Sequence, residues 1–408
     1  MNILIKEQPA VYYHFSKILA TLISIFFCSS GIIRFLVLYL TKTINFFILN
    51  SGDSMSINSI ELKNFTVFED LNIDVSSNIN IFIGENGTGK TNLLKAIYGT
   101  CKISKNAGAD ILKECFKCYD SVPLSKDKNN PAIDIFLRTK DDDKEIIAIS
   151  TNFDTIRIVT NDSTTTDSNF SGNLEKNVSY STSYQIHFPQ DTSFSATFIP
   201  SKDMLTHSKG LLAMSDKYRE FPFDITLTDI IKKANQWKLK QVPELAISIL
   251  PTLEEMIDGK VVVENEEFFV IKNDGRKVNF AVEAEGFKKI GLLWQLLMNE
   301  SITRDSILIW DEPEANLNPA FLPELVKCLI ELSRHNVQIF LSTHNYIFAK
   351  YFNVKSSDSD SIMFHGLYKD NYSVQCESDK NFAALKHNSI IKVFNQLLEK
   401  VYDLDLGD

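Results

Sequence analysis

The alternation of apolar and polar positions divides the chain into pieces of different period. Ile79–Ile83, Ser306–Trp310 and Val337–Leu341 are short and almost continuously apolar, the pattern of strands buried on both faces. Asn92–Tyr98 and Ile290–Met298 carry apolar residues on a helical period and predict helices. Residues 133–138, 145–150, 155–159 and 194–199 predict four further strands. Between the third and fourth of these, sixteen of the twenty-four residues 161–184 are Ser, Thr, Asn or Asp, which cannot build a core and predicts an exposed insert. The spacing of Phe382, Leu385, Ile390, Val393 and Leu397 predicts an amphipathic helix over Asn381–Tyr402, packed on the core or on a partner. No internal repeat occurs and no heptad run persists over several turns, so a long coiled coil is excluded.

The first 54 residues follow a different pattern. Ile18–Ile33 is sixteen residues without a charge; Arg34 interrupts it and Phe35–Thr41 continues it. A membrane span wants about 20 apolar residues, and an Arg near its middle costs a few kcal/mol. No small-residue cleavage site of a signal peptide stands out. Ser51-Gly52-Asp53-Ser54 can be encoded with a purine-rich ribosome-binding sequence just before the codon of Met55, and Met55 opens what reads as a first strand. Residues 1–54 are therefore expected to be a misassigned start, with a membrane anchor as the competing reading; the working protein is 55–408.

Composition adds little until it is split there. The 408 residues are 44% hydrophobic and 23% charged, which argues against disorder and allows a large buried core. The net charge of −10 becomes −12 for 55–408, since 1–54 hold Lys6, Lys17, Arg34 and Lys42 against Glu7 and Asp53. A surface basic everywhere is excluded, though a local basic stripe is not. Six Cys fit a reducing compartment, and Cys115-Phe-Lys-Cys118 has no second pair at zinc-site spacing, so both read as ordinary thiols.

The chemistry gathers at the ends of the three apolar strands. After Ile79–Ile83 come Gly84, Glu85, Asn86, Gly87, Thr88, Gly89, Lys90 and Thr91, and then the helical pattern from Asn92. This is G-x-x-x-x-G-K-[ST] in its strand–loop–helix setting. Backbone N–H groups of such a loop wrap a β-phosphate and the helix N-terminus faces the anion. Lys90 is expected to bridge the β- and γ-phosphates of ATP, and Thr91 to ligate Mg2+. After Ser306–Trp310 come Asp311-Glu312-Pro313-Glu314. Asp311 is expected to hold Mg2+ through water and Glu312 to polarise the attacking water. After Val337–Leu341 come Ser342-Thr343-His344-Asn345, with His344 placed to contact the γ-phosphate.

These three motifs, in this order and with Asp-Glu-Pro-Glu, resemble the ABC-type ATPase superfamily. Within it they are similar to the prokaryotic branch of the RecF and SMC proteins, the coiled-coil break-repair ATPases, and stand-alone AAA family ATPases related to the ATPase part of overcoming-lysogenization-defect nucleases. Ile60-Glu-Leu-Lys-Asn-Phe65-Thr-Val-Phe68 is similar to the opening strand of that branch. The resemblance implies an α/β P-loop NTPase, an ABC-type head with a mixed central sheet and an inserted lid subdomain, here 101–259, followed by a C-terminal helix within 381–408. It also implies a head-to-head homodimer with ATP sandwiched between a P-loop and the other copy's signature motif. The matching place is Ala284-Glu285-Gly286-Phe287-Lys288-Lys289, before the helix Ile290–Met298. Ala284 stands where the family has Ser, so a hydroxyl contact to the γ-phosphate is missing; Gly286 keeps a close approach, and Lys288 or Lys289 would restore part of the attraction. Asn318 falls at the D-loop position. Gln185, Gln190 and Pro200–Met204 are the Q-loop candidates.

Two absences narrow the choice. Only 192 residues separate Thr91 from Ala284, without heptads, unlike the SMC proteins, and the 64 residues after His344 are too few for a TOPRIM nuclease domain. A transporter subunit is disfavoured by the lack of a Ser-Gly-Gly-Gln signature and of Asp-Glu-Pro-Thr. The expectation is an ATP-hydrolysing switch that controls an effector protein in phage defence or DNA maintenance, cytoplasmic, and membrane-associated only if 1–54 are genuine. The alternative is ATP-dependent nucleic-acid binding of the RecF type, for which Lys232, Lys233, Lys238 and Lys240 around Trp237 form a candidate stripe.

Overall fold

The computed structural model describes residues 56–104, 110–116, 133–139, 146–152, 155–159, 194–218, 221–371 and 373–406. The apolar segment 1–54, the polar stretch 161–184, Cys118, Gln185 and Gln190 lie outside them.

Ile57–Phe65 (β1) and Phe68–Asp74 (β2) form a hairpin, and Ile79–Gly84 (β3) leads into the P-loop. Helices Lys90–Ser104 (α1) and Asp110–Phe116 (α2) follow, then strands Ile133–Thr139 (β4), Ile146–Asn152 (β5), Thr155–Val159 (β6) and Ala196–Ile199 (β7). The four expected strands are thus present, within two residues of the anticipated bounds. Next come Leu211–Lys217 (α3), Ile225–Ala234 (α4), Leu250–Ile257 (α5) and a meander of Gly259–Glu264 (β8), Glu267–Lys272 (β9) and Lys277–Asn279 (β10). Glu285–Met298 (α6), Ile307–Asp311 (β11), Leu322–Arg334 (α7), Gln338–Thr343 (β12), Tyr346–Lys355 (α8), Ile362–Asp370 (β13), Ser373–Asp379 (β14) and Ser389–Leu406 (α9) complete the order.

The central sheet runs β14-β13-β3-β12-β11-β7, parallel throughout except for β14, so it is mixed as expected. A second, antiparallel sheet runs β2-β1-β4-β5-β6, and β8–β10 form a third. Strand β7 lies inside the anticipated 101–259 insert but belongs to the central sheet, and β4–β6 extend the sheet begun by β1 and β2. That region is therefore woven into the head.

Period-2 alternation sorts the buried side chains of the central sheet. Phe82, Ile307, Ile309 and Phe340 face α1 and the β1–β2 hairpin, in one core with Leu93, Leu94, Ile97, Leu62 and Phe65. Ile81, Leu308, Trp310, Ile339 and Leu341 face the other way, against Leu293, Leu296, Leu325 and Leu329 of α6 and α7. Strands covered on both sides read as continuous apolar runs for this reason.

Registry then fixes the site. Ile83 pairs with Thr343, and Asp311 with Ser342, while Trp310 pairs with Ile199. Parallel strands end on one edge, so Gly84, Thr343, Asp311 and Pro200 are brought side by side at their carboxyl ends.

The C-terminal helix begins later than its apolar spacing predicts. Asn381 instead caps a 3-10 turn, accepting from the Ala383 N–H at 3.0 Å, and Phe382 and Leu385 are buried in the core. The side chain of Asn388 accepts from the Ile391 N–H at 3.2 Å at the start of α9. Phe394 stacks on Tyr346 with ring centroids 3.9 Å apart, but Val393 and Leu397 are exposed, so only the first turns of α9 pack on the core.

Candidate nucleotide-binding site

The P-loop needs residues without side chains where its backbone turns back on itself. A Cβ at Gly84 would lie 2.4 Å from the Leu367 carbonyl oxygen. Gly89 has φ +83°, and a Cβ there would meet Val67 at 2.6 Å. Gly89 leads into the first turn of α1, whose N-terminus carries the positive end of the helix dipole. Lys90 is buried, and its ammonium donates to the carbonyls of Gly84 (2.8 Å) and Glu85 (3.1 Å), across the mouth of the loop. Burial pushes the Lys90 ammonium below its ordinary range, while Glu312, Asp311 and Glu314 pull the other way. A desolvated cation at the start of a helix, beside a glycine-turned loop, is matched to a polyphosphate. Thr88 is also buried, its hydroxyl bonded to the Glu85 carbonyl, while Glu85, Asn86 and Gly87 form the exposed rim.

Thr91 and Asp311, 220 residues apart in sequence, meet here: the Thr91 hydroxyl donates to Asp311 Oδ2 at 2.9 Å. Ser342 donates to the other Asp311 oxygen. A hydroxyl and a carboxylate at the inner end of a phosphate loop are hard oxygen donors of the kind Mg2+ takes alongside phosphates and water, so the residues fit that ion. Glu312 stands just beyond, at φ 50°. Its N–H is held by the carbonyl (3.1 Å) and hydroxyl (3.2 Å) of Ser342. Its carboxylate lies 3.3 Å from Nδ1 of the half-exposed His344. The three strand-end motifs therefore meet at one edge of the sheet.

Two further buried residues complete this edge. Glu314 is buried, accepts from the Thr343 hydroxyl at 2.5 Å, and leaves Oε2 without a partner. Burial raises its carboxyl above the usual range, against the Thr343 bond. Lys289 is also buried, and donates to the Glu312 carbonyl at 2.9 Å. Burial lowers its ammonium, while Glu314, Glu312 and Asp311 hold it up.

The signature segment differs from expectation in one respect. Ala284 and Glu285 are outward at the start of α6, and Ala284 makes no side-chain cap. Lys288 and Lys289, however, are turned inward: Lys288 pairs with Glu285 at 2.7 Å and lies 3.7 Å from Asp203. Gly286 has an intrachain reason to lack a side chain, since a Cβ would come within 2.7 Å of the Asn316 carbonyl oxygen. Asn318 caps the turn before α7, accepting from the Ala320 N–H at 3.0 Å. Asp203 is the residue of the Pro200–Met204 candidate segment that reaches α6. Cys115 is buried and its thiol is pushed well up by that burial, as suits an inert side chain. Among the described residues no cluster of His, Cys, Asp and Glu is arranged to hold a metal by itself, and no helix is long and apolar enough to cross a membrane.

Comparison with known proteins finds similar sequences around the same motifs. A model described as an AAA domain matches residues 59–246, and one described as "AAA domain, putative AbiEii toxin, Type IV TA system" matches 188–349. The DNA replication and repair protein RecF of Clostridium novyi (strain NT) is 42% identical over 86 residues. Both overlapping matches are thus to AAA domains, and the similar curated sequences are RecF proteins. The stretch shared with that RecF is 20% of this chain and 24% of the relative. RecF of Lactococcus lactis subsp. cremoris (strain MG1363) is 54% identical over 44 residues, 11% of this chain and 12% of its own. The likeness to these RecF proteins thus covers a quarter of their length or less. Among solved structures, an SMC head bound to the C-winged helix domain of ScpA aligns with a TM-score of 0.49 at 16% identity, covering 81% of this chain and 99% of that one. The SMC head domain from Thermotoga maritima aligns at 0.43 and 16%, covering 80% and 99%.

Proposed function

We propose that this chain binds ATP with Mg2+ and hydrolyses it as a molecular switch, dimerising head to head and controlling a partner effector in DNA maintenance or phage defence. The observation that carries the reading is the Thr91–Asp311 hydrogen bond, which brings the hydroxyl of the phosphate loop and the strand-end carboxylate together beside Glu312 and His344. Lys90 exchanges its two carbonyl partners for β- and γ-phosphate oxygens, offsetting their charge in a dry pocket. Thr91 and Asp311 would hold Mg2+, which would supply charge neutralisation to the phosphates. Glu312 orients and deprotonates the attacking water, and His344 hydrogen-bonds the γ-phosphate. Ala284, Glu285 and Gly286 of the second copy close the sandwich. The deciding experiment is Mg2+-dependent phosphate release by purified protein. Lys90→Ala abolishes it, and a Lys90→Ala protein as active as wild type sinks the site assignment.

A second reading, ATP-dependent binding of single-stranded nucleic acid, has one specific observation in its favour. Trp237 is 94% exposed, on a loop that is held firmly beneath. Gln295 donates to the Ala234 carbonyl (3.0 Å), Asn299 to that of Lys233 (2.8 Å), and the Leu239 N–H to that of Met298 (2.9 Å). Lys232, Lys238 and Lys240 are exposed around it, whereas Lys233 turns inward onto the Ala196 carbonyl at 2.6 Å and leaves the stripe. A rigidly presented indole among lysines suits base stacking, which contributes about 1–3 kcal/mol per base. Fluorescence polarisation with labelled oligonucleotide over a salt series checks it. Trp237→Ala weakens binding by about tenfold, and equal binding by both proteins removes this reading.

A further inference from the structure

The start of α6 is tied to the segment after β11 at three places. Gly286 is pressed on Asn316 and Leu317, Phe287 packs edge-on against Phe321 at 5.6 Å, and Lys289 reaches the Glu312 carbonyl at 2.9 Å. The third contact is chemically unusual. Lys289 is only 5% exposed and has the carboxylates of Asp311, Glu312 and Glu314 in its surroundings, yet its ammonium is spent on a main-chain oxygen. That oxygen belongs to a residue in the left-handed region, φ 50°, which a non-glycine residue adopts only when its surroundings hold it there. Both peptide groups of Glu312 are in fact pinned. Ser342 holds its N–H, and Lys289 together with the Ala315 N–H (3.1 Å) holds its carbonyl. Of these clamps Lys289 alone comes from the helix that begins with the signature segment.

We propose that Lys289 is a positioning residue: it holds the Glu312 backbone in the conformation that aims its carboxylate at the nucleotide site, and so links the start of α6 to the base. Any rotation or slide of α6 on closure with a second copy would pass through this contact to Glu312. Without it, the left-handed turn relaxes and the carboxylate moves out of line. Misplacing a catalytic group by about 1 Å is enough to cost orders of magnitude in rate.

The inference rests on the ATPase reading and is tested separately from it. Lys289→Met keeps the side-chain volume and removes the ammonium. The expected result is a fall in kcat of about tenfold or more with KM for ATP and affinity for a fluorescent ATP analogue within about twofold of wild type. Lys289→Arg, which keeps the charge with a displaced donor, loses only about two- to fivefold. In a Glu312→Gln background, where the base is already gone, adding Lys289→Met changes the single-turnover rate by less than about twofold, because the two residues act as one unit. A purely structural role predicts the same proportional loss in both backgrounds. That result, a loss carried by KM alone, or a kcat within twofold of wild type would each overturn the inference. Should Lys289→Met fail to fold, Lys289→Arg carries the test, and an unchanged kcat overturns it. Failure of the underlying reading looks different: Lys90→Ala and Glu312→Gln would themselves keep wild-type turnover.

Discussion

The P-loop edge and the start of α6 lie on either side of Glu312 and are built on opposite principles. At the P-loop edge every functional group is anchored from within the same sheet: Lys90 on its own loop, Thr91 on Asp311, Asp311 on Ser342. At the start of α6 the groups divide. Ala284 and Glu285 face outward, Glu285 paired with Lys288 of its own helix, while Gly286 and Lys289 turn inward onto the segment after β11 and Lys288 lies near Asp203. The difference teaches where to look for activity and where for control. A cradle that is complete within one chain can bind nucleotide alone. Under the proposed reading, a helix that presents one end to the outside and grips the Glu312 backbone with the next turn would report the arrival of a second copy.

The sharpest way to break this division is Glu312→Gln. The P-loop edge keeps all its anchors, so nucleotide binding stays within about twofold, while turnover falls by about 10^2–10^3-fold through loss of the base. With hydrolysis stopped, the ATP-bound form accumulates as a head-to-head dimer. Sizing chromatography with ATP and Mg2+ checks this; a strictly monomeric ATP-bound Glu312→Gln protein would confine function to one chain and leave α6 without a partner to report on.

The same contrast explains what was legible beforehand. The P-loop edge is local chemistry: a run of glycines, a lysine and a hydroxyl in the order the phosphate requires, and two strands that end in Asp-Glu and Ser-Thr-His. Their types declare themselves at fixed spacing, and continuous apolar runs identify their strands. Lys288 and Lys289 read in sequence as outward charges of the signature segment, available to a phosphate. Only tertiary packing against Asn316, Leu317 and Phe321 turns them inward, and no local pattern encodes that. Glu314 is legible as the end of Asp-Glu-Pro-Glu, but its burial shows only where Thr343 is seen to donate to it. The late start of α9 shows the reverse error. Its apolar period was real, but Asn381 and Asn388 each cap a separate turn, and caps outrank period in setting helix bounds.

A smaller effect tests whether the P-loop edge owes its rigidity to what lies beneath it. His365 of β13 is fully buried beside β3, with Ser378 at 2.7 Å on Nδ1 and Asn80 at 3.2 Å on Nε2, and its ring stacks on Phe82 at 4.9 Å. Burial pushes its pKa from 6.5 down to about 3. Below about 6.5 the unfolded chain takes up a proton that the folded chain refuses until about 3, so stability falls as the pH falls through that window. The loss at pH 5 relative to neutral pH is about 2 kcal/mol from this group. Thermal melting of wild type and His365→Gln from pH 7 to 5 checks it. The variant starts less stable and the gap narrows on acidification; parallel curves would mean His365 is not the titrating support of β3.

The smallest predicted effect probes the other region directly. Ala284 occupies the N-cap of α6 with extended backbone, φ −61° and ψ 137°, and offers no side-chain acceptor to the free N–H groups of the first turn. Ala284→Ser supplies one, and a cap of this kind stabilises a helix by about 1 kcal/mol. The same hydroxyl points outward, where the signature segment is proposed to meet the partner copy's γ-phosphate. The two roles separate experimentally. A rise in melting temperature without nucleotide reports the cap. A dimer of Ala284→Ser, Glu312→Gln that forms with ATP at about a tenth of the protein concentration needed by Glu312→Gln alone reports the phosphate contact, a gain of about 1.4 kcal/mol. If the melting temperature rises and the dimer is no tighter, the start of α6 is an ordinary helix end, and the coupling through Lys289 must be driven from within one chain.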